Sequence, residues 1–176
     1  METPNFYFAL RPEIQELCQK NESGIKAESF IPTKAHPEDT GYDVRCAVPG
    51  GVALLPGCYV KIPLGLRVFA PAGWWLELRP RSGTFVKHHI GALYGVIDEA
   101  YENELIFAGK YDPDACQLLS GSGPKVIDFG ERIGQLLPVK RQNMNCLTAS
   151  NEELDAYYAS RASSRGTSGF GGSGRF

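Results

Sequence analysis

Twenty glycines and twelve prolines distributed over 176 residues cut this chain into pieces too short for long helices. Most pieces alternate apolar and polar positions rather than repeat at helical period, which is the pattern of half-buried strands. The clearest alternations run from Ile25 to Ile31, Tyr42 to Ala47, Cys58 to Ile62, Gly65 to Phe69, Trp74 to Arg79 and Ile133 to Val139. Turn signals such as Pro49-Gly50-Gly51 and Pro56-Gly57 separate them. Many short strands joined by turns predict a mostly β sandwich or jelly-roll-like subunit. Three segments read as short helices instead. From Pro12 to Lys20, Ile14, Leu17 and Cys18 fall at helical spacing; Ser82 to His88 has room for one or two turns; and Ser150-x-x-Glu153 forms a capping box opening a helix toward Tyr158. The pattern divides the chain into an N-terminal extension over 1–24, a β core over 25–149 and a C-terminal arm over 150–176. An inserted loop over 108–124, rich in Gly, Asp, Ser and Pro from 109 onward, interrupts the core.

Eighteen basic against twenty acidic residues give a net charge of −2, so no global field steers the protein toward nucleic acid or an anionic membrane. Any phosphate site must be local. The five cysteines, Cys18, Cys46, Cys58, Cys116 and Cys146, form no C-x-x-C pair and have no His at ligand spacing, so free thiols are expected. Without a signal-peptide pattern or a long apolar run, the expected location is intracellular, cytoplasmic, or nuclear in a eukaryote.

Five segments carry the residue types of a nucleotide site. In GVIDEAYENE (95–104) an apolar approach formed by Gly95, Val96 and Ile97 gives way to Asp98, where a strand can project a carboxylate into a cleft. Tyr101 follows three residues later, and Leu105-Ile106-Phe107 reads as the returning strand of a hairpin. Arg81-Ser82-Gly83 combines a planar cation, a hydroxyl and a glycine turn before a short helix, an arrangement that suits an anion. Gln135 interrupts the apolar strand of GERIGQLL and needs a polar partner, whether ligand or backbone. Asp43 in GYDVRCA faces away from Tyr42 and Val44. The final RGTSGFGGSGRF places Arg165, Phe170 and a run of glycines within ten positions. Composition alone reads that segment as a disordered tail, yet it also offers phosphate forks, a stacking ring and backbone donors.

Taken in order, GYDVRCA, RPRSG, GVIDEAY, GERIGQLL and RGTSGFGGSG resemble the five motifs of the trimeric dUTPase family, over about residues 41 to 174. The resemblance implies a jelly-roll-like (β-clip) subunit and a homotrimer with active sites shared between chains. It implies a dUTP pyrophosphatase that uses Mg²⁺, yields dUMP and pyrophosphate, and thereby supplies dUMP and limits uracil incorporation into DNA. Carried over residue by residue, Asp98 would orient and deprotonate the water that attacks the α-phosphorus. Tyr101 would lie against the deoxyribose and exclude a 2′-hydroxyl, with Gly95, Val96 and Ile97 beside the uracil. Arg81, Ser82 and Gly83 would contact the phosphate chain, Gln135 the α-phosphate and Arg165 the γ-phosphate. Phe170 would stack on the base, Gly172 to Gly174 would wrap the terminal phosphates with Gly171 and Ser173 among the substrate-binding residues, and Asp43 would reach Mg²⁺ through water. Ala100 stands where the family commonly has a second acid, and Asn103 where Gly is frequent. Two alternatives stay open: a dCTP deaminase, monofunctional or bifunctional, with Glu102 or Glu104 as its proton shuttle, and a regulatory protein that binds a partner through residues 109–124.

Overall fold

The computed structural model describes residues 3–20, 24–114 and 125–160. It divides into two compact units, Met1–Gln142 and Asn143–Phe176. Among the described residues the first unit is built of short antiparallel strands. In chain order these are β1 (Tyr7–Leu10), β2 (Tyr42–Arg45), β3 (Val52–Leu54), β4 (Tyr59–Pro63), β5 (Leu66–Phe69) and β6 (Trp74–Pro80), then β7 (Ile90–Ala92), β8 (Gly95–Ile97), β9 (Ile106–Tyr111), β10 (Lys125–Ile127) and β11 (Arg132–Lys140). Helix α1 (Pro12–Gln19) precedes β2, and α2 (Ser82–Val86) follows β6. The jelly-roll-like β architecture expected from the turn-punctuated sequence is present.

A four-stranded sheet in the order β2-β11-β6-β8 and a three-stranded sheet in the order β4-β9-β7 form the body, with the pairs β1-β5 and β3-β10 alongside. In the larger sheet Val44, Leu136, Leu76, Leu78 and Ile97 are buried, and they pack with Ile62, Leu64, Leu66, Ile90 and Phe107 into one core. Register assigns the other face. Asp43 stands opposite Gln135, and Gln135 opposite Arg79, so these polar side chains share the surface turned away from the core. A second, smaller core forms where α1 stacks Ile14 and Cys18, one helical turn apart, with Phe30 and Ala47. Burial holds both the Cys18 and the Cys46 thiols above their usual range, whereas Cys58 and Cys146 are exposed.

Three sequence expectations are corrected. Ile25 to Ile31 is not a strand: Ala27–Phe30 forms a 3₁₀ turn, closed by Ser29 N–H to Lys26 O at 3.0 Å and Ile31 N–H to Glu28 O at 3.2 Å. Its burial alternates because Phe30 must reach the Phe129 ring, 5.1 Å away between centroids, and Arg45 Nε takes the Ser29 carbonyl that a ladder would use. The segments flanking Asp98 are not a hairpin. β8 pairs with β6, while β9 pairs with β4 and β7 in the other sheet, so 98–105 crosses between sheets. The inserted loop starts later than its composition indicates, because β9 runs to Tyr111. Gly109 reads as a loop residue but is there for close approach: a Cβ would come within 2.6 Å of Ile90 Cγ2 and 3.0 Å of the Gly91 carbonyl on β7. Residues 115–124 lie outside the described residues.

In the second unit α3 (Asn151–Ala159) opens with the expected capping box: Ser150 Oγ accepts from Glu153 N–H at 3.2 Å, and Glu153 Oε2 accepts from Ser150 N–H at 2.7 Å. Arg165, Phe170, Gly171, Gly172 and Ser173 fall outside the described residues.

Gly130, in the turn between β10 and β11, has φ +80, and a Cβ there would collide with Ile25 Cδ1, whereas Gly57 has φ +76 with nothing within 4 Å. Gly57→Ala is expected to cost about 1 kcal/mol through backbone conformation alone. Gly130→Ala should cost about 2–3 kcal/mol, because overpacking adds to the same backbone term. Urea denaturation of both variants separates the contributions, and equal midpoints would show that Ile25 repacks freely.

Candidate functional site

Strand β6 is hydrogen-bonded along one edge to β11 and along the other to β8, and candidate residues gather at both of its ends. Its C-terminal end delivers Arg81, whose Nε meets Asp43 Oδ1 at 2.8 Å. Arg132, at the start of β11, binds the other oxygen, Nη1 to Oδ2 at 3.2 Å. The Asp43 side chain is only 12% exposed between them. Arg45 lies two residues along β2, with Nη1 on the Gly130 carbonyl at 2.7 Å. Burial, and then the positive charge of Arg132, hold the Arg45 guanidinium below its usual range. One carboxylate among three guanidinium groups leaves this corner locally positive inside a chain of net charge −2.

Gln135 extends from the same face and donates Nε2–H to the Pro80 carbonyl at 3.1 Å. The backbone partner foreseen as one of two possibilities is therefore present, and the amide bond ties β11 to the strand end that carries Arg81. Gly41 makes this placement feasible, since a Cβ on it would overlap Gln135 Oε1. The sequence reading missed Gly41; its position just before Tyr42 in GYDVRCA was the available signal. Ser82 is the exposed first residue of α2, which no side chain caps. Gly83 follows it, and the helix is secured by the buried Thr84, whose Oγ1 donates to the Ile133 carbonyl at 2.6 Å.

The opposite end of β6 meets the turn after β8. Ile97 pairs with Leu76, so Asp98 stands one residue past the ladder, beside Trp75. Its carboxylate is exposed and unpaired among the described residues. The turn closes through Tyr101 N–H to Asp98 O at 3.0 Å. Glu99 fixes the turn's start: Oε2 accepts from Gly73 N–H at 2.9 Å and pairs with Arg141 Nη1 at 3.0 Å. Tyr101 directs its hydroxyl back to the Glu104 carbonyl at 2.9 Å, leaving the ring to present a flat face. A pocket of ≈ 1120 Å³ adjoins this turn, lined by Asp98, Tyr101, Trp75, Val96, Tyr7 and Phe69 among others. Val96 is 62% exposed, while Ile97 is buried. Upstream of β8, Tyr94 is covered by Arg79, with the guanidinium carbon 5.5 Å from the ring centroid.

The candidates thus form two groups: Asp43, Arg81, Ser82, Gly83 and Gln135 in one, and Gly95, Val96, Ile97, Asp98 and Tyr101 in the other. Between Trp75 and Arg81 the strand spans roughly 20 Å at about 3.3 Å per residue. Arg81 and Asp98 therefore stand at opposite ends of β6, too far apart for their side chains to meet within one copy of this chain.

The dUTPase family model matches residues 27–110. The deoxyuridine 5′-triphosphate nucleotidohydrolase of Pseudomonas putida (strain W619) is 35% identical over 155 residues, covering 85% of this chain and 91% of that protein. That of Gloeobacter violaceus is 31% identical over 146 residues, covering 82% and 88%. Among solved structures, the dUTPase from phage phi11 of S. aureus superposes with a TM-score of 0.64 at 23% identity over 84% of this chain and 97% of that one. A variant of that phage enzyme is described with a coordinated structural Mg(II) ion. A variant of the Staphylococcus bacteriophage 80alpha dUTPase with dUpNHpp gives 0.68 at 23% identity over 98% and 99%. The sequence likeness spans most of both partners and the strand framework agrees with it, so the chain belongs to the dUTPase (deoxyuridine 5′-triphosphate nucleotidohydrolase) family.

Proposed function

We propose that this protein hydrolyses dUTP to dUMP and pyrophosphate, in a homotrimer whose sites combine residues from different copies. The separation of Asp98 from Arg81 along β6 carries this reading. Family membership supports the reaction, and the roughly 20 Å between the two groups favours a site that a second copy completes. One copy contributes the Asp98 turn, and its neighbour contributes the Arg81, Ser82 and Gln135 face.

The unpaired Asp98 carboxylate takes a proton from a water and aims it at the α-phosphorus, in line with the departing pyrophosphate. Tyr101 offers its ring to the deoxyribose, because its hydroxyl is already engaged. Arg81 and Arg132, held side by side by Asp43, present spare donors to phosphate oxygens. Mg²⁺ would be carried mainly by the triphosphate, as an ion that keeps several waters allows, and Asp43, whose oxygens are paired with Arg81 and Arg132, is the residue that would hold it through water. Bound there, Mg²⁺ would neutralise charge on the triphosphate. Arg165, Phe170, Gly171, Gly172 and Ser173 are assigned by the family motif to the γ-phosphate, the base and the terminal phosphates.

The deaminase alternative is weakened by Glu104, whose carboxylate is bound by Gly65 N–H at 2.9 Å and Arg11 at 3.0 Å and is not free to shuttle protons. Ammonia release from dCTP would restore that alternative. The reading of residues 109–124 as a partner-binding surface now concerns 112–124, since 109–111 belong to β9.

Pyrophosphate release from a panel of deoxynucleotides, with and without Mg²⁺, tests reaction, substrate and metal together; dUTP with Mg²⁺ is expected to stand above the rest. Asp98→Asn should lower kcat by about 10²-fold or more at nearly unchanged dUTP affinity, and an unchanged kcat would remove Asp98 from the chemistry. Phe170→Ala should weaken dUTP binding by about 1–3 kcal/mol of base stacking. Mixing the inactive Asp98→Asn and Arg81→Ala proteins after subunit exchange should restore up to about a quarter of wild-type activity, because one site in four combines intact groups from both. No recovery in verified mixed oligomers would place the two groups in separate functions.

A further inference from the structure

The Tyr101 ring is not placed by packing alone. Its hydroxyl donates to the Glu104 carbonyl at 2.9 Å, so its tilt follows the backbone of residue 104. That backbone is held to the β4–β5 turn by Leu105 N–H to Leu66 O at 2.8 Å, and the Glu104 side chain clamps the same turn from the other side of the residue. Oε1 accepts from Gly65 N–H at 2.9 Å, and Oε2 accepts from Arg11 Nη1 at 3.0 Å. The carboxylate is 19% exposed at the junction of the β4–β5 turn and the link between β1 and α1. Arg11 is anchored independently, its N–H donating to the Gly65 carbonyl at 2.8 Å. A further arginine holds the same turn, with Arg67 Nε on the Glu102 carbonyl at 2.7 Å. The β9 ladder starts at Ile106, and before it the Leu105 carbonyl also accepts from Leu64 N–H at 3.0 Å, so the Glu104 side chain adds a third tie between this stretch and the β4–β5 turn.

We infer that Glu104, held by Arg11 of the N-terminal segment, is a positioning residue that sets the Tyr101 ring and thereby the preference for a 2′-deoxyribose over a ribose. The inference rests on the dUTPase reading above. Exclusion of a hydroxyl by shape needs a wall that does not yield, and a shift near 1 Å is enough to admit one. Tyr101 has two rotatable bonds to its ring; the hydroxyl contact removes the freedom that would let the ring swing aside. Glu104 converts an attachment on the N-terminal segment into stiffness at the sugar.

The test is the ratio of kcat/KM for dUTP to that for UTP, measured on the full-length oligomer with Mg²⁺. Tyr101→Phe and Glu104→Ala are each expected to lower the ratio about 10-fold, chiefly because UTP improves, and the double variant should fall no further than the lower single. Glu104→Gln keeps an acceptor for Gly65 but loses the ion pair, and it should lie between wild type and Glu104→Ala. Arg11→Ala should lower the ratio about 3-fold, with Arg11→Lys restoring most of it. Glu99→Ala cuts the contacts at the other end of the turn and is expected to slow dUTP turnover at an unchanged ratio. A folded Glu104→Ala protein with wild-type discrimination overturns the inference, as does a Glu99→Ala protein that loses discrimination equally, which would indicate general loosening. Should Glu104→Ala fail to fold, Arg11→Ala decides, and an unchanged ratio there is also negative. A wild-type protein inactive on dUTP defeats the functional reading and the inference together, whereas active enzyme with an unmoved ratio defeats the inference alone.

Discussion

The double pairing of β6 governs the rest of the site. A seven-residue strand paired with β11 over its whole length, and with β8 over Leu76–Leu78, behaves as a fixed spacer, because most of its backbone donors and acceptors are committed. Its length sets how far the arginine-rich corner stands from the Asp98 turn, and its pleat sends Leu76 and Leu78 into the core while Glu77 and Arg79 face outward. No side-chain rearrangement can bridge roughly 20 Å of paired strand. In the proposed trimer, division of the chemistry between copies would therefore follow from strand length before it follows from any interface residue.

Acidic side chains do much of the fixing at both ends. Asp43 gathers Arg81 and Arg132, Glu99 joins Gly73 and Arg141, and Glu104 joins Gly65 and Arg11. Ion pairs on an open surface are worth little, about 0–1 kcal/mol. These carboxylates, however, are part-buried, and Glu99 and Glu104 also accept a backbone N–H, so each holds a turn in one geometry rather than adding only to stability. The Asp98 carboxylate has no such partner among the described residues, which keeps its oxygens available for water. The chain's modest negative charge follows from this use of acids, and it coexists with a positive corner because the arginines are concentrated around a single carboxylate.

The strands were legible wherever alternation coincided with a ladder. Tyr42 to Arg45, Tyr59 to Pro63 and the paired β6 and β11 all follow the pattern, as do the capping box at Ser150 and the helix from Pro12. Alternation misled at Ile25 to Ile31, since burial can alternate without strand partners when one aromatic side chain, Phe30, must be inserted. Local spacing also produced the false hairpin around Asp98, because nothing within 95–107 records that β8 and β9 belong to different sheets. The candidate residues were recognisable as ordered motifs, whereas their partition into two groups depends on non-local register. Gly41 escaped notice, Gly109 read as a loop residue and Glu104 read only as a candidate proton shuttle for a related reason: each acts through a residue remote in sequence, Gln135, Ile90 and Arg11 respectively.

Sequence order and spatial order thus carry different information here. Each motif is a local backbone device, a turn, a strand end or a glycine approach, and local devices leave local signatures. Where those devices meet is set by the core, in which Leu76, Leu78, Leu136 and Phe107 lock the two sheets together with no polar signature at all. In the proposed arrangement, with the Asp98 turn of one copy facing the Arg81 corner of the next, substrate that touches both groups would bind only the assembled form, so nucleotide and assembly would stabilise one another by mass action. The paired β6 in each copy would then keep the two halves of that contact apart on its own chain.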